Sequence, residues 1–169
     1  MDEAADVAVD LGMDVPFFLH GGAALGTGRG ERLEPMPGMS FAMVLVDPGF
    51  AVRTADAYRA VTPALYTDGR RAREMAAAVR TRTRAGVART LYNALEGAVR
   101  PAHPEIGRVV AALLAAGALG AAMSGSGPTV FGIARSLEHA RQIQARVRRA
   151  RWSAWAVRAL RGPAVRMSR

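Results

Sequence analysis

Two stretches of this sequence carry residues that could do chemistry: "GMDVPFF", with Asp14, and "AAMSGSGPTVFGIA", with Ser124, Gly125, Ser126 and Gly127. Asp14 stands between the end of a helical pattern and an apolar run. An aspartate there either hydrogen-bonds the local backbone or offers its carboxylate to a ligand, and local capping is the commoner use. Glycine at alternate positions in "SGSGP" lets the main chain approach an anion closely with its N–H groups, or simply turn a corner between two strands. "GTGRGE" superficially resembles a dinucleotide fingerprint, but that needs a following helix. Pro35 prevents one, so a glycine-rich hairpin is expected.

Other chemistries are excluded by composition. With no cysteine there is no thiolate nucleophile, disulfide framework or cysteine-ligated metal, and His20, His103 and His139 show no ligand spacing. All 23 basic residues are arginine. A Walker-type loop, which wants a lysine ammonium on the transferred phosphates, is therefore ruled out.

The elements that must position these residues follow from periodicity. Residues 2–11 carry apolar positions at helical spacing up to Gly12, after which "VPFFL" and "AALG" read as strands around "HGG". "SFAMVLVDPG" is a buried strand with a turn behind it. Thr54 is expected to cap a short helix through Val61, and residues 68–82 and 86–99 carry helical patterns, the latter with Val87, Leu91, Leu95 and Val99 on one face. Pro104 opens a helix whose apolar positions run from Ile106 to Leu114. A strand pair flanks "SGSGP", a helix covers about 136–149, and "AWAVRAL" is a last strand. This order predicts an α+β fold with helices packed on a mostly antiparallel sheet.

The chain has 169 residues, 50% of them apolar, and a formal net charge of +9, enough for one sizeable core or two small ones. The arginines are spread through helical segments rather than interleaved with aromatics, so nucleic-acid binding is the weaker reading. No apolar run approaches the roughly 20 residues of a membrane helix. The acidic start "MDEAADVAVD" lacks the regions of a secretory signal, which makes a cytoplasmic location the default expectation.

Taken in order, "LGMDVPFFLHGGAALGTGRGERLEP", "TADAY", "NALE", "HPEI" and "GALGAAMSGSGPTVFGI" closely resemble the C-terminal part of the 4-diphosphocytidyl-2-C-methyl-D-erythritol kinases. That family belongs to the galactokinase, homoserine kinase, mevalonate kinase and phosphomevalonate kinase (GHMP) superfamily. The resemblance implies a remnant of a GHMP kinase N-terminal domain over 1–37, followed by a GHMP kinase C-terminal domain over 38–169. It implies ATP-dependent phosphorylation of the 2-hydroxyl of 4-diphosphocytidyl-2-C-methyl-D-erythritol, in the non-mevalonate route to isoprenoid precursors, with Mg2+ and ATP. By the same resemblance Asp14 is the general base and Thr54 and Tyr58 hold the substrate, with the Tyr58 ring on the cytosine. Gly125, Ser126 and Gly127 then lie beside the substrate and Ser124 beside the ATP phosphates. From the residues alone, Tyr58 reads as a core tyrosine on a short helix.

Met13 departs from the small residue usual in the family, and Ala94 from the aspartate of many members. The family's active-site lysine, its cytosine-holding aromatic and histidine, and its long glycine- and serine-rich phosphate loop have no counterpart here. The chain is accordingly expected to be a C-terminal fragment, inactive by itself. The alternatives are a homoserine or mevalonate type of kinase, against which "DVPFF" with "GRGE" argues, and a non-catalytic module that holds part of the substrate. The expected site is a cleft between a 15–19 strand, Tyr58 and the 124–127 loop. An unpaired strand at 15–19 would favour self-association.

Overall fold

The computed structural model describes residues 10–12, 14–149 and 151–162. Met13 and residues 2–9 of the expected first helix lie outside the described residues, whereas Asp10 and Leu11 are helical.

Alternation builds the central strand. In β3 (Ala42–Asp47) the side chains of Ala42, Val44 and Val46 are buried while Met43, Leu45 and Asp47 are half-buried on the opposite face. It lies inside a four-stranded sheet of order β4-β5-β3-β6, with β4 at Gly120–Met123, β5 at Val130–Ile133 and β6 at Ser153–Arg158. Every pairing is antiparallel, as expected. A separate two-stranded hairpin joins β1 (Ala23–Thr27) to β2 (Arg32–Met36), where the sequence placed one.

Two long helices cover the buried face. Helix Pro104–Ala115 buries Ile106, Val109 and Leu113, and helix Leu137–Val147 buries Ala140, Ile143 and Val147, each set at i, i+3, i+7. These side chains and those of β3 form the main core. A smaller core gathers Ala78, Val87, Ala88 and Ile133 beneath helices Arg70–Arg80 and Arg84–Thr90.

Three expectations are corrected. First, "VPFFL" is not a strand: Val15–His20 is a helix. Proline has no N–H for a β-ladder, but Pro16 suits the first helical turn, and that preference outweighs the β-propensity of the valine and phenylalanines. Phe18 and Leu19 are exposed on this helix, so the unpaired-strand argument for self-association falls. The outer strands of the larger sheet are β4 and β6.

Second, the 86–99 pattern is two helices, Arg84–Thr90 and Ala94–Val99, split at residues 91–93. Val87 consequently enters the small core and Val99 the main one, instead of sharing a face. Third, Thr54 does not cap its helix. Arg53 holds the cap position, and Thr54 is the first residue of helix Thr54–Arg59, which ends before Val61. No helix among the described residues is long and apolar enough to cross a membrane.

Candidate functional site

The 124–129 segment turns the corner between β4 and β5, and part of its main chain is used in doing so. Ser124 N–H donates to the Thr129 carbonyl (2.8 Å) and Gly127 N–H to the Ser124 carbonyl (2.9 Å). Among the described residues, the N–H groups of Gly125 and Ser126 have no such partner within the protein. Gly125 and Gly127 adopt φ of 55° and 85°, a left-handed backbone that side chains with a Cβ seldom take. The loop thus answers both descriptions. It is a tight turn, and it leaves two successive N–H groups for a ligand.

The base of the loop is held from one side by Asn93 and Glu96. The Asn93 Nδ2 amide donates to the carbonyls of Met123 (2.9 Å) and Gly125 (2.8 Å), while its Oδ1 accepts from Leu95 N–H (3.0 Å). Glu96 Oε2 accepts from Met123 N–H at 2.9 Å. Both main-chain groups of Met123, the last residue of β4, are therefore fixed by helix Ala94–Val99 and its cap residue Asn93, whose amide makes three hydrogen bonds. Sequence reasoning missed the role of both residues. The available signal was an asparagine at a helix start with glutamate three positions on, the spacing of a capping box.

The other side of the loop meets helix Thr54–Arg59. Thr54 Oγ1 and Ser126 Oγ share a hydrogen bond of 3.1 Å. Buried Ala57 seats this helix, which packs on helix Ala94–Val99. Asp56 ties its first and last turns through Arg53 (2.6 Å) and Arg59 (2.5 Å). The Arg53 guanidinium hydrogen-bonded to Asp56 holds its carboxyl below the usual aspartate range. Tyr58 projects from the helix with 62% of its surface exposed, so it is not a core tyrosine.

Asp14 sits at the cap position of helix Val15–His20, and its side chain makes no capping hydrogen bond. The local-cap use of this carboxylate is thus absent. Helix Val15–His20 packs on β2, and β2 on helix Arg70–Arg80, where Glu34 pairs with Arg80. The structure therefore brings Thr54 to the glycine-rich loop, whereas Asp14 is carried by the hairpin unit. The depression beside the base of the loop is lined by Tyr92, Asn93, Glu96, Arg100, Ala121 and Ala122 among others, and not by Asp14 or Tyr58. It differs from the cleft expected from sequence, because 15–19 is a helix on the hairpin instead of a strand facing the loop. Among the described residues no group of three or more His, Asp or Glu side chains converges.

The antiparallel sheet and its backing helices have a fold shared with solved small-molecule kinases. The crystal structure of 4-(cytidine 5'-diphospho)-2C-methyl-D-erythritol kinase superposes with a TM-score of 0.78 at 36% identity, over 91% of this chain and 56% of that one. A homoserine kinase from Cytophaga hutchinsonii has the same fold, with a TM-score of 0.72 at 21% identity over 88% of this chain and 51% of that one.

Residues 64–154, more than half of the chain, match the family described as GHMP kinases C terminal, and the chain belongs to that family. Among curated relatives, the 4-diphosphocytidyl-2-C-methyl-D-erythritol kinase of Pelotomaculum thermopropionicum is 48% identical over 85% of this chain and 50% of its own length. That of Symbiobacterium thermophilum is 41% identical over 94% of this chain and 57% of its own. The chain spans about half the length of the curated relatives it matches.

Proposed function

We propose that this chain is the C-terminal part of a kinase that transfers the γ-phosphoryl group of ATP to the 2-hydroxyl of 4-diphosphocytidyl-2-C-methyl-D-erythritol. The observation that carries the reading is the hydrogen bond between Thr54 and Ser126. It joins two of the positions that the resemblance assigns to substrate binding, and the relatives at 41–48% identity bear this substrate in their names. In this reading residues 1–37 belong to the first domain of the kinase and residues 38–169 form its second.

The proposed chemistry uses Asp14 as general base. Its carboxylate takes the proton of the attacking 2-hydroxyl as that oxygen bonds to the γ-phosphorus and the bond to the bridging oxygen of ADP breaks, an effect worth about 10²–10⁴ in rate. A carboxylate not engaged as a cap is free for this use. The exposed Tyr58 ring stacks on the cytosine, a contact worth about 1–3 kcal/mol. The Gly125 and Ser126 N–H groups and the Ser126 hydroxyl border the substrate, and Ser124 borders the ATP phosphates. Magnesium with ATP is what the family resemblance implies, and bound on the phosphates it would neutralise charge on the transferred group.

The test joins this chain to the N-terminal half of a related kinase and offers the assembled enzyme ATP with three acceptors in parallel. Formation of the 2-phosphate from the diphosphocytidyl substrate, with homoserine and mevalonate left unreacted, supports the reading. Phosphorylation of homoserine or mevalonate in preference overturns it.

A further inference from the structure

We infer that a second anion site, separate from the glycine-rich loop, lies where Arg82, Arg84, Arg161 and Ser40 line one pocket, and that it takes a phosphate group. Gly38 and Met39 complete the lining.

Sheet register places this pocket away from the loop. Ala42 opens β3 and pairs with Arg158 of β6, so Ser40 and Arg161 lie just beyond that end of the sheet. Val46, near the other end of β3, pairs with Val130, which follows the loop. At about 3.3 Å per residue, Ser40 and Asp47 are roughly 20 Å apart.

Charge gives the pocket its character. Among the described residues, none of the three guanidiniums is in an ion pair, whereas neighbouring Arg80 is paired with Glu34. Cations gathered without a counter-charge repel one another, and a bound dianion reverses the sign of that interaction. Arginine suits the task because its planar fork matches two phosphate oxygens at once. The half-buried Ser40 brings a neutral hydroxyl to the same lining.

One guanidinium, and the main chain that carries the other two, are also held in place. Arg84 Nη1 donates to the Arg135 carbonyl at 2.6 Å, which orients its guanidinium. Arg82 lies in the turn between helices Arg70–Arg80 and Arg84–Thr90, at φ 52°, with its N–H donating to the Val79 carbonyl (3.0 Å). The main chain of Arg161 lies against Gly22 and Gly38, so closely that a Cβ at either would meet its carbonyl oxygen. With the main chain anchored and the Arg84 guanidinium already oriented, less freedom is lost on binding than for unanchored surface arginines.

The experiment titrates the purified 169-residue chain with inorganic phosphate and with pyrophosphate, by calorimetry and 31P NMR at low ionic strength. A saturable site that depends on these arginines is expected, weakened by added salt because they are exposed. Arg84→Gln and Arg161→Gln together should weaken it by at least about tenfold, with circular dichroism unchanged, while Ser126→Ala leaves it intact. CDP binding more tightly than pyrophosphate at the same arginines identifies a nucleotide diphosphate as the source of the phosphate, and equal affinity identifies the free anion. No saturable binding at millimolar anion, or binding lost with Ser126→Ala and kept by the arginine variant, overturns the inference. So does an oligonucleotide that binds more tightly than pyrophosphate through these arginines, which would make the pocket part of a nucleic-acid surface.

Discussion

Thr54 and Ser126 lie 72 residues apart in sequence and share a hydrogen bond of 3.1 Å between their hydroxyls. The contact ties the helix that carries Tyr58 to the loop between β4 and β5. In the assembled kinase, Thr54→Val should raise KM for the diphosphocytidyl substrate by about two- to tenfold, since one net hydrogen bond contributes about 0.5–1.5 kcal/mol. Thr54→Ser should restore it. Steady-state kinetics with both substrates checks this, and a change in KM for ATP alone would place Thr54 elsewhere in the mechanism.

Asn93 is the main support of the loop base. Asn93→Ala removes the two bonds to the Met123 and Gly125 carbonyls and the one from Leu95 N–H, and should lower the unfolding free energy by about 1–3 kcal/mol in urea titrations. Asn93→Asp should do no better. A carboxylate has no donor for the two carbonyl oxygens it would face.

Glu105 links helix Pro104–Ala115 to the region preceding β6. Its Oε1 accepts from Trp152 Nε1 at 2.9 Å and its Oε2 from Arg108 at 2.6 Å, and these contacts, Arg108 foremost, hold its carboxyl below the usual glutamate range. A carboxylate whose folded value is lowered adds stability that is present above its unfolded value, about 4.3, and is lost as pH falls through the folded one. Glu105→Gln should therefore be less stable than the parent at pH 7, and the two melting temperatures should converge at low pH. Thermal unfolding monitored by tryptophan fluorescence across pH 2–8 measures the difference.

The apolar run at 41–46, the turn residues of SGSGP between two apolar segments, and the helical spacing of Ile106, Val109, Val110, Leu113 and Leu114 made β3, the β4–β5 pair and helix Pro104–Ala115 legible in the sequence. Residues 15–19 were misread since Val and Phe favour strands when counted singly, whereas Pro16 decides the issue by what its nitrogen cannot donate. The split at 91–93 was hidden for a different reason. Leu91 and Leu95 keep helical spacing across it while packing against separate cores, and only Asn93 marked the second start. Of the site, the glycine-rich loop and Thr54 could be named from sequence, but their contact could not. It depends on the packing of helix Thr54–Arg59 against helix Ala94–Val99, which no local pattern encodes.

Tyr58 is exposed on its helix, and the proposed function has its ring stack on the cytosine. In the assembled enzyme Tyr58→Ala should raise KM for the diphosphocytidyl substrate by about 5- to 100-fold with little change for ATP, and Tyr58→Phe should be mild. Equal changes for both substrates would identify a structural tyrosine.

The 169 residues include no lysine, and among the described residues no glycine-rich loop leads into a helix. Incubated with ATP, magnesium and the diphosphocytidyl substrate, they should turn over far more slowly than the about 1–100 per second of ordinary kinases. A rate within that range would mean that the chain carries a nucleotide site of its own.

Asp14, which makes no capping hydrogen bond at the start of helix Val15–His20, is the proposed base of the phosphoryl transfer, and the rate constant of 2-phosphate formation in the assembled enzyme carrying Asp14→Asn measures that role. The substitution keeps size and removes the basic oxygen. The account predicts a fall in kcat of at least about 100-fold, with KM for both substrates changed by less than about threefold. A fall of less than about tenfold, in a variant that folds and binds both substrates normally, would contradict it.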